Sequence, residues 1–120
     1  MIQFIPGDAV ALPHPLSEEL ADLIARRLRA LAEPMRIRLL DQLRDGEACV
    51  GELVSATGAS QQNVSKHLTV MLAAGIVGRR RDGNRIYYRV VDEGVFALCE
   101  QICGTIRNQL DELGSLLETS

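Results

Sequence analysis

The sequence contains no apolar run of the length that crosses a membrane. A spanning helix needs about 20 predominantly apolar residues, and no stretch of this 120-residue chain approaches that length. The N-terminus also lacks the basic region and the long apolar run of a secretory signal peptide. We therefore expect a cytoplasmic protein that does not associate with membranes.

The residue patterns that carry catalysis are missing as well. We find no Ser/His/Asp arrangement, no paired carboxylates in a context that would form a cleft, and no phosphate-binding glycine loop. Histidine is scarce, with two residues, and His67 lies in a helix where a structural role or a place near phosphate is expected. These absences argue against an enzyme.

Cysteine occurs three times, an odd number that does not form a disulfide framework. In a reducing compartment these residues are thiols, available for packing, metal binding or redox chemistry. The length predicts one domain. We divide the chain into an irregular arm over residues 1–16, which holds three prolines and His14, and a folded domain over residues 17–118.

Residues 49–72 predict two short helices joined by a tight turn. Gly58 supplies the left-handed backbone that ends the first helix, and Ser60 offers its hydroxyl to the free N–H groups of the second. One face of the second helix is apolar at helical spacing. Its members are Val64, Leu68, Met71 and Leu72. The opposite face carries Gln61, Gln62, Ser65, Lys66 and Thr69.

The polar side chains of the second helix are of the kind that read base edges and hold phosphates. Two helices joined by a glycine-containing turn are the signature of a helix-turn-helix motif. Any two-helix hairpin on a soluble protein has one polar face, so the motif alone leaves a simple helical hairpin open. The segment that follows favours DNA binding.

That segment predicts a basic hairpin. The stretches 76–81 and 85–91 read as strands, and the residues between them, Asp82-Gly83-Asn84, are strong turn signals. Alternation in the second strand predicts one buried and one basic face. The chain has a net charge of −3, yet arginines are concentrated here, at Arg79, Arg80, Arg81, Arg85 and Arg89. Such a wing reaches the sugar-phosphate backbone or the minor groove, and a solubilising hairpin is the alternative.

Helices flank this motif on both sides. Ser17 caps a helix that runs to about Ala32, and Pro34 begins another that ends at Asp45-Gly46. From about Glu93 onward, apolar residues alternate by three and four in a heptad seam. The seam comprises Phe96, Cys99, Cys103, Ile106, Leu110, Leu113 and Leu117. With the leucine stripe of the first helix, it predicts dimerisation through the first and last helices.

In this order of elements, three stretches resemble the ArsR/SmtB family of bacterial winged-helix repressors over roughly residues 18–110: AEPMRIRLLDQLRDGEACVGEL, SQQNVSKHLTVMLAAGIV and RRRDGNRIYYRV. The resemblance implies a mainly α fold with a β-hairpin wing, and a homodimer that binds a palindromic double-stranded operator. It also implies an inducer that lowers DNA affinity, commonly a metal or metalloid ion and sometimes a thiol-oxidising or sulfur species.

In this family the fourth helix is the recognition helix, and the wing assists it. Carried over to this sequence, the DNA-binding residues are Ser60, Gln61, Gln62, Asn63, Ser65, Lys66, Arg79, Arg80, Arg81 and Arg85.

Cys49 stands at a helix N-cap, with Glu52 at the spacing of a capping box in which Cys is not a preferred cap. A helix N-terminus favours the thiolate that binds soft ions. Arsenic-type members of the resembled family carry Cys-Val-Cys here, whereas this chain has Gly51 in place of the second cysteine. A zinc-type site would need ligands from the arm, which offers Asp8 and His14.

Cys99 and Cys103 are four residues apart, so they share one helix face with Cβ atoms about 6 Å apart. Two thiolates at this spacing can bind one ion. Packing in the seam as small hydrophobic residues is the alternative. The zinc site that some family members carry on the last helix is disfavoured, since Gly94, Thr105 and Asn108 stand where its partners to Asp92 are needed.

We therefore predict a dimeric repressor that releases its operator when a thiophilic ion binds Cys49, Cys99 and Cys103, with no organic cofactor. Three thiols with few histidines favour As(III), Sb(III), Cd(II), Pb(II) or Hg(II). Two alternatives remain. The thiols can sense redox change or persulfide, or the cysteines of a winged-helix regulator can be purely structural.

Overall fold

Five α-helices and three short β-strands make up residues 11–118, the part of the chain that the computed structural model describes. The helices are α1 (Glu18–Leu31), α2 (Pro34–Gln42), α3 (Val50–Thr57), α4 (Gln61–Ala73) and α5 (Gly94–Glu118). The strands are β1 (Ala48–Cys49), β2 (Val77–Asp82) and β3 (Arg85–Val90). This order confirms the predicted winged helix-turn-helix, a mainly helical fold with a small sheet.

The helix boundaries around the motif fall where the capping residues predict them. The Ser17 hydroxyl accepts a hydrogen bond from the Leu20 N–H at 3.2 Å, and the Ser60 hydroxyl accepts one from the Asn63 N–H at 3.1 Å. Gly58 ends α3 at φ +74°, a backbone conformation that costs glycine little. The turn between α3 and α4 is therefore encoded locally.

The end of α2 differs from the prediction. The helix ends at Gln42, before the expected stop at Asp45-Gly46. The Leu43 N–H is shared between the carbonyls of Leu39 and Leu40 at 3.0 and 3.1 Å. This sharing tightens the last turn, so the chain leaves the α-helix before it reaches the glycine.

The wing is a three-stranded antiparallel sheet in the order β1-β3-β2. β2 and β3 form the predicted hairpin, turned at Gly83 with φ +64°, which suits glycine at the first position of a two-residue turn. The prediction missed β1, in which Ala48 pairs with Tyr88 and Cys49 with Tyr87. A strand of two residues is too short to show alternation, so periodicity could not reveal it.

The core lies among the first four helices and the base of the sheet. α4 packs against α1, α2, α3 and β2. The largest fully buried side chains are Leu39, Leu53, Leu68, Met71, Ile76, Val64 and Val77. Because the apolar face of α4 is buried, its polar face must point to solvent beside the wing.

α5 leaves most of its apolar side chains in solvent. Val95 is buried at its start, whereas Leu98, Ile102, Ile106, Leu110 and Leu113 are exposed, Leu110 by 62%. The exposed surface is broader than the predicted seam because Leu98 and Ile102 lie beside it. Among residues 11–118, no helix combines the length and hydropathy that a bilayer-spanning segment requires.

Candidate functional site

The polar face of α4 stands clear of the core. Gln61, Gln62 and Lys66 are exposed, and Asn63 and Ser65 are half-buried. A groove of about 400 Å³ lies at the N-terminal end of the helix, lined by Ser60, Gln62, Asn63 and Lys66. Free N–H groups and the helix dipole favour phosphate at such an end. Four of the residues predicted to bind DNA therefore line this groove, whereas Gln61 lines a separate groove beside the wing turn.

The strand register divides the wing arginines between two faces. Residues directly opposite in an antiparallel pair project to the same side of the sheet. On one side lie Arg79, Arg81, Ile86 and Tyr88. On the other lie Arg80, Asp82, Arg85, Tyr87 and Arg89. The alternation predicted for the second strand is confirmed, since Ile86 and Tyr88 share one face and Arg85, Tyr87 and Arg89 share the other. The first strand differs, because its arginines extend from both faces of the wing.

Arg80 is held by contacts within the protein. Its Nε donates to Oε2 of Glu47 at 2.9 Å, and its Nη2 donates to the other oxygen of that carboxylate. The guanidinium also lies 4.9 Å from the ring centroid of Tyr87. The hydrogen bond between the side chains lowers the pKa of Glu47 and raises that of Arg80. Arg80 is thus a structural anchor of the wing. By contrast, Arg79 and Arg81 form no ion pair within residues 11–118.

Cys49 is the last residue of β1 and the N-cap of α3, and 8% of its surface is exposed. Its N–H donates to Oε1 of Glu52 at 2.9 Å, as a capping box requires, and this bond lowers the pKa of the Glu52 carboxyl. Cys49 lines a groove of about 550 Å³ between the start of α3, the start of α4 and the wing turn. Gly51 and Arg85 line the same groove. Among the described lining residues of this groove, Cys49 is the single thiol.

Cys99 and Cys103 line a different groove, of about 370 Å³, between α2 and α5. Cys99 is half-buried and Cys103 is exposed. Arg44 closes one side, with its guanidinium 5.6 Å from the Phe96 ring centroid and its Nη2 3.5 Å from Oε1 of Glu100. We call the part of the fold formed by α1–α4 and the sheet the body. The groove therefore places the predicted dithiol where α5 meets the body.

The three cysteines do not converge within one subunit. Cys49 lines one groove, and Cys99 and Cys103 line the other. Among residues 11–118, no three His, Cys, Asp or Glu side chains are grouped so that they could hold an ion. The part of the chain that the structure describes therefore offers this dithiol no third ligand.

The other metal ligands considered from the sequence are dispersed. His14 is exposed, and Asp8 lies outside the described residues. Asp92 is engaged in an ion pair with Arg27, whose Nη1 lies 2.6 Å from Oδ2 of the carboxylate. Asp92 therefore anchors α1 to the start of α5.

Comparison with known proteins identifies a family of regulatory proteins and several similar repressors. The family model described as bacterial regulatory protein, arsR family, matches residues 33–78. The transcriptional repressor SmtB of Mycobacterium tuberculosis is 44% identical over 91 residues, which cover 72% of this chain and 67% of SmtB. The probable mercury resistance operon repressor of Streptomyces lividans is 43% identical over 74 residues, 62% of this chain and 59% of that protein.

Solved structures agree with the architecture. The solution structure of a homodimeric winged helix-turn-helix DNA-binding domain from Mycobacterium bovis, a possible ArsR-family transcriptional regulator, superposes with a TM-score of 0.69 at 32% identity. The superposition covers 83% of this chain and 95% of that domain.

Proposed function

Because the chain belongs to the ArsR family of bacterial regulatory proteins, a family of DNA-binding transcriptional repressors rather than enzymes, we propose that it represses transcription as a homodimer on a palindromic double-stranded operator. α4 enters the major groove, where Gln62 and Asn63 read base edges and Lys66 contacts phosphate. Ser60, Gln61 and Ser65 complete the surface. The observation that supports this assignment is the exposed polar face of α4 beside a basic wing.

The wing arginines are assigned to DNA contacts according to their exposure and to the contacts that each already makes within the protein. Arg79, Arg81 and Arg85 contact the sugar-phosphate backbone or the minor groove. Arg80 contributes less to DNA affinity because Glu47 and Tyr87 already engage it. Its main role is to hold the wing against the loop that precedes β1.

The second copy covers α1 and α5. Leu23 and Leu28 of α1 are exposed, as are most of the apolar side chains of α5. Large exposed apolar surfaces on a small domain mark protein interfaces. The homodimeric relative from Mycobacterium bovis has the same architecture. We infer that α5 pairs with its symmetry mate and sets the spacing between the two copies of α4.

The inducer site is formed by Cys99 and Cys103, and the inducer is a thiophilic ion that accepts two thiolates. The fit follows from the donor set: two soft ligands share one groove, with no third ligand from the described part of the subunit. This set suits Hg(II), or As(III) with solvent or a partner ligand, better than Zn(II), which in proteins takes about four ligands. One relative is named for a mercury resistance operon.

Cys99 and Cys103 would hold such an ion through the two thiolates that successive turns of α5 carry. The chain's own residues transmit the effect, because Arg44 holds the same turns to the body through Phe96 and Glu100. A change in these contacts rotates α5 against α2, and the spacing of the two recognition helices changes with it. Cys49 lies in the other groove and takes no part in this site.

A second candidate keeps the DNA-binding role and makes the dithiol a redox switch. Exposure of Cys103 beside half-buried Cys99 favours it, because an oxidant in solution reaches the outer thiol first. Release of the operator by an oxidant, with no response to soft ions, would support this candidate.

Ion binding is tested by ultraviolet absorption of the thiolate–metal bands. Reduced protein is titrated with Hg(II), As(III), Cd(II) or Zn(II), and bound ions are counted by native mass spectrometry. We expect Cys99→Ser and Cys103→Ser to abolish the soft-ion bands. Cys49→Ser, the matched control from the other groove, should retain them. Bands that disappear only in Cys49→Ser would contradict the assigned site.

A further inference from the structure

Arg36 connects the end of α1 to the recognition helix. From α2, its Nη2 donates to the Arg29 carbonyl at 3.1 Å, and its Nη1 lies 3.1 Å from Nδ1 of His67 on α4. A guanidinium carries donors only, so Nδ1 must be the acceptor and the neutral imidazole must carry its proton on Nε2. One side chain thereby joins the dimerisation helix α1 to α4.

The His67 end of this bridge is the more buried one. His67 is 7% exposed, and Nε of Arg36 is buried with no hydrogen-bond partner among residues 11–118. Burial lowers the pKa of His67, and the positive charge of Arg36 lowers it further. Glu33, at the N-cap of α2, raises this pKa, and Lys66 on α4 itself lowers it.

Protonation of His67 removes the bridge for two reasons. The imidazolium has no lone pair on Nδ1 to accept from Arg36. It also places two cations side by side in a part-buried site, where water screens their repulsion less than in bulk solvent. The neutral form is therefore the one compatible with the observed contact.

We propose that Arg36 and His67 are positioning residues for operator binding, and that the bridge from the Arg29 carbonyl through Arg36 to neutral His67 orients α4 relative to α1. Loss of the bridge in acid releases the operator. His67 lies on the buried side of α4, so it acts through the placement of the helix and makes no DNA contact itself. This inference rests on the proposed DNA-binding function.

The sign of the pH dependence follows from the direction of the shift. Because folding lowers the pKa of His67 below its ordinary value of about 6.5, the neutral, bridged form predominates above that pH. It is lost as the pH falls through the lowered pKa. Simple electrostatics predicts the opposite trend, since protonation of the imidazole, and of some carboxylates toward about pH 5, makes the protein more cationic and strengthens its attraction to DNA.

The test is fluorescence anisotropy with operator and with random DNA from about pH 8 to about pH 5, using the full chain. The His14→Asn background leaves His67 as the sole histidine, because the chain has two. We expect operator affinity to fall by about tenfold per pH unit for each subunit below the pKa, while affinity for random DNA rises. His67→Gln keeps a neutral acceptor and should bind the operator at neutral pH without the loss in acid.

Arg36→Gln supplies a second test if His67→Gln does not fold. Removing the guanidinium should weaken operator binding at neutral pH and raise the pKa of His67, as measured by imidazole ¹⁵N chemical shifts. The control Arg107→Gln removes the same charge from an exposed position of α5 and should change neither quantity.

The nitrogen shifts also test the bridge without DNA. A proton on Nδ1 at neutral pH, or a pKa at the ordinary value, would overturn the proposal, and so would an equal loss in acid by His67→Gln. If the nitrogen shifts confirm the bridge but the protein does not prefer operator over random DNA at any pH, then the proposed function fails and the positioning role fails with it.

Discussion

α4 and α5 are both amphipathic helices, but they differ in where their apolar side chains lie. α4 buries Val64, Leu68 and Met71 against three other helices and the sheet. α5 leaves Ile106 and Leu110 in solvent over most of its length. The apolar face of α4 is therefore covered within one chain, whereas that of α5 is left for the second copy in the proposed dimer. We assign the reading of DNA to α4 and the spacing of the two recognition helices to α5.

The candidate inducer site lies where these two regions meet. Cys99 and Cys103 stand on the first half of α5, in the groove against α2. Arg44 reaches from the end of α2 to Phe96 and Glu100 in the same groove. A ligand there acts on the contact between a rigid body and a helix whose position depends on dimerisation.

The largest effect is expected when the same leucine-to-alanine substitution is compared on α4 and on α5. Leu68→Ala opens a cavity in the core and should destabilise the fold by about 2–5 kcal/mol. Leu110→Ala makes the same change on α5, and it should change the unfolding free energy of the dilute monomer by less than about 1 kcal/mol. Urea unfolding at low protein concentration measures both. Equal losses would contradict the contrast between the buried apolar face of α4 and the exposed apolar face of α5.

The next effect separates dimerisation from folding. Leu110→Glu buries an unpaired carboxylate in the proposed interface and should weaken the dimer by about a hundredfold or more. Asn108→Glu adds the same charge on the opposite side of the helix and should leave the dimer intact. Sedimentation velocity gives the dissociation constants. A dimer that persists in Leu110→Glu would place the interface elsewhere.

A smaller effect probes base reading by α4. Gln62→Ala should cost about 1–3 kcal/mol on the operator and relax base preference if Gln62 makes a bidentate contact. Anisotropy with operator and random fragments measures the difference. An equal loss on both kinds of DNA would count against a base-reading role.

The smallest effect compares two neighbouring arginines of the wing. Arg81→Ala should weaken binding to all sequences and reduce the slope of log affinity against log salt by about 0.9, as expected for one lost phosphate contact. Arg80→Ala should change the slope less, because Glu47 already engages that side chain. Identical slopes for the two variants would show that the ion pair with Glu47 opens when DNA binds.

Local chemistry made much of the fold predictable. The caps Ser17 and Ser60, the glycines Gly58 and Gly83 and the apolar period of α4 act over a few residues, and the structure places each as expected. β1 could not be predicted, because its two residues become a strand only by pairing with β3. The predicted end of α2 was wrong, because a shared hydrogen bond that the sequence does not reveal tightens its last turn.

The candidate site was predictable in its residue types but not in its contacts. Spacing on one helix placed Cys99 and Cys103 together, whereas their groove depends on Arg44, more than 50 positions earlier in the chain. The pairs Arg80–Glu47 and Arg36–His67 likewise join residues 33 and 31 positions apart. Contacts of this range are set by tertiary packing, and a single sequence carries no periodic signal for them.

The most direct test of the account is operator binding before and after inducer is added. Fluorescence anisotropy is recorded with the DNA upstream of the protein's own gene and reduced protein, followed by Hg(II) or As(III). We expect two chains per operator, release by a soft ion in the wild type and in Cys49→Ser, and no release in the Cys99→Ser, Cys103→Ser double variant. Operator binding that no soft ion disturbs, or release that persists in the double variant, would contradict the account.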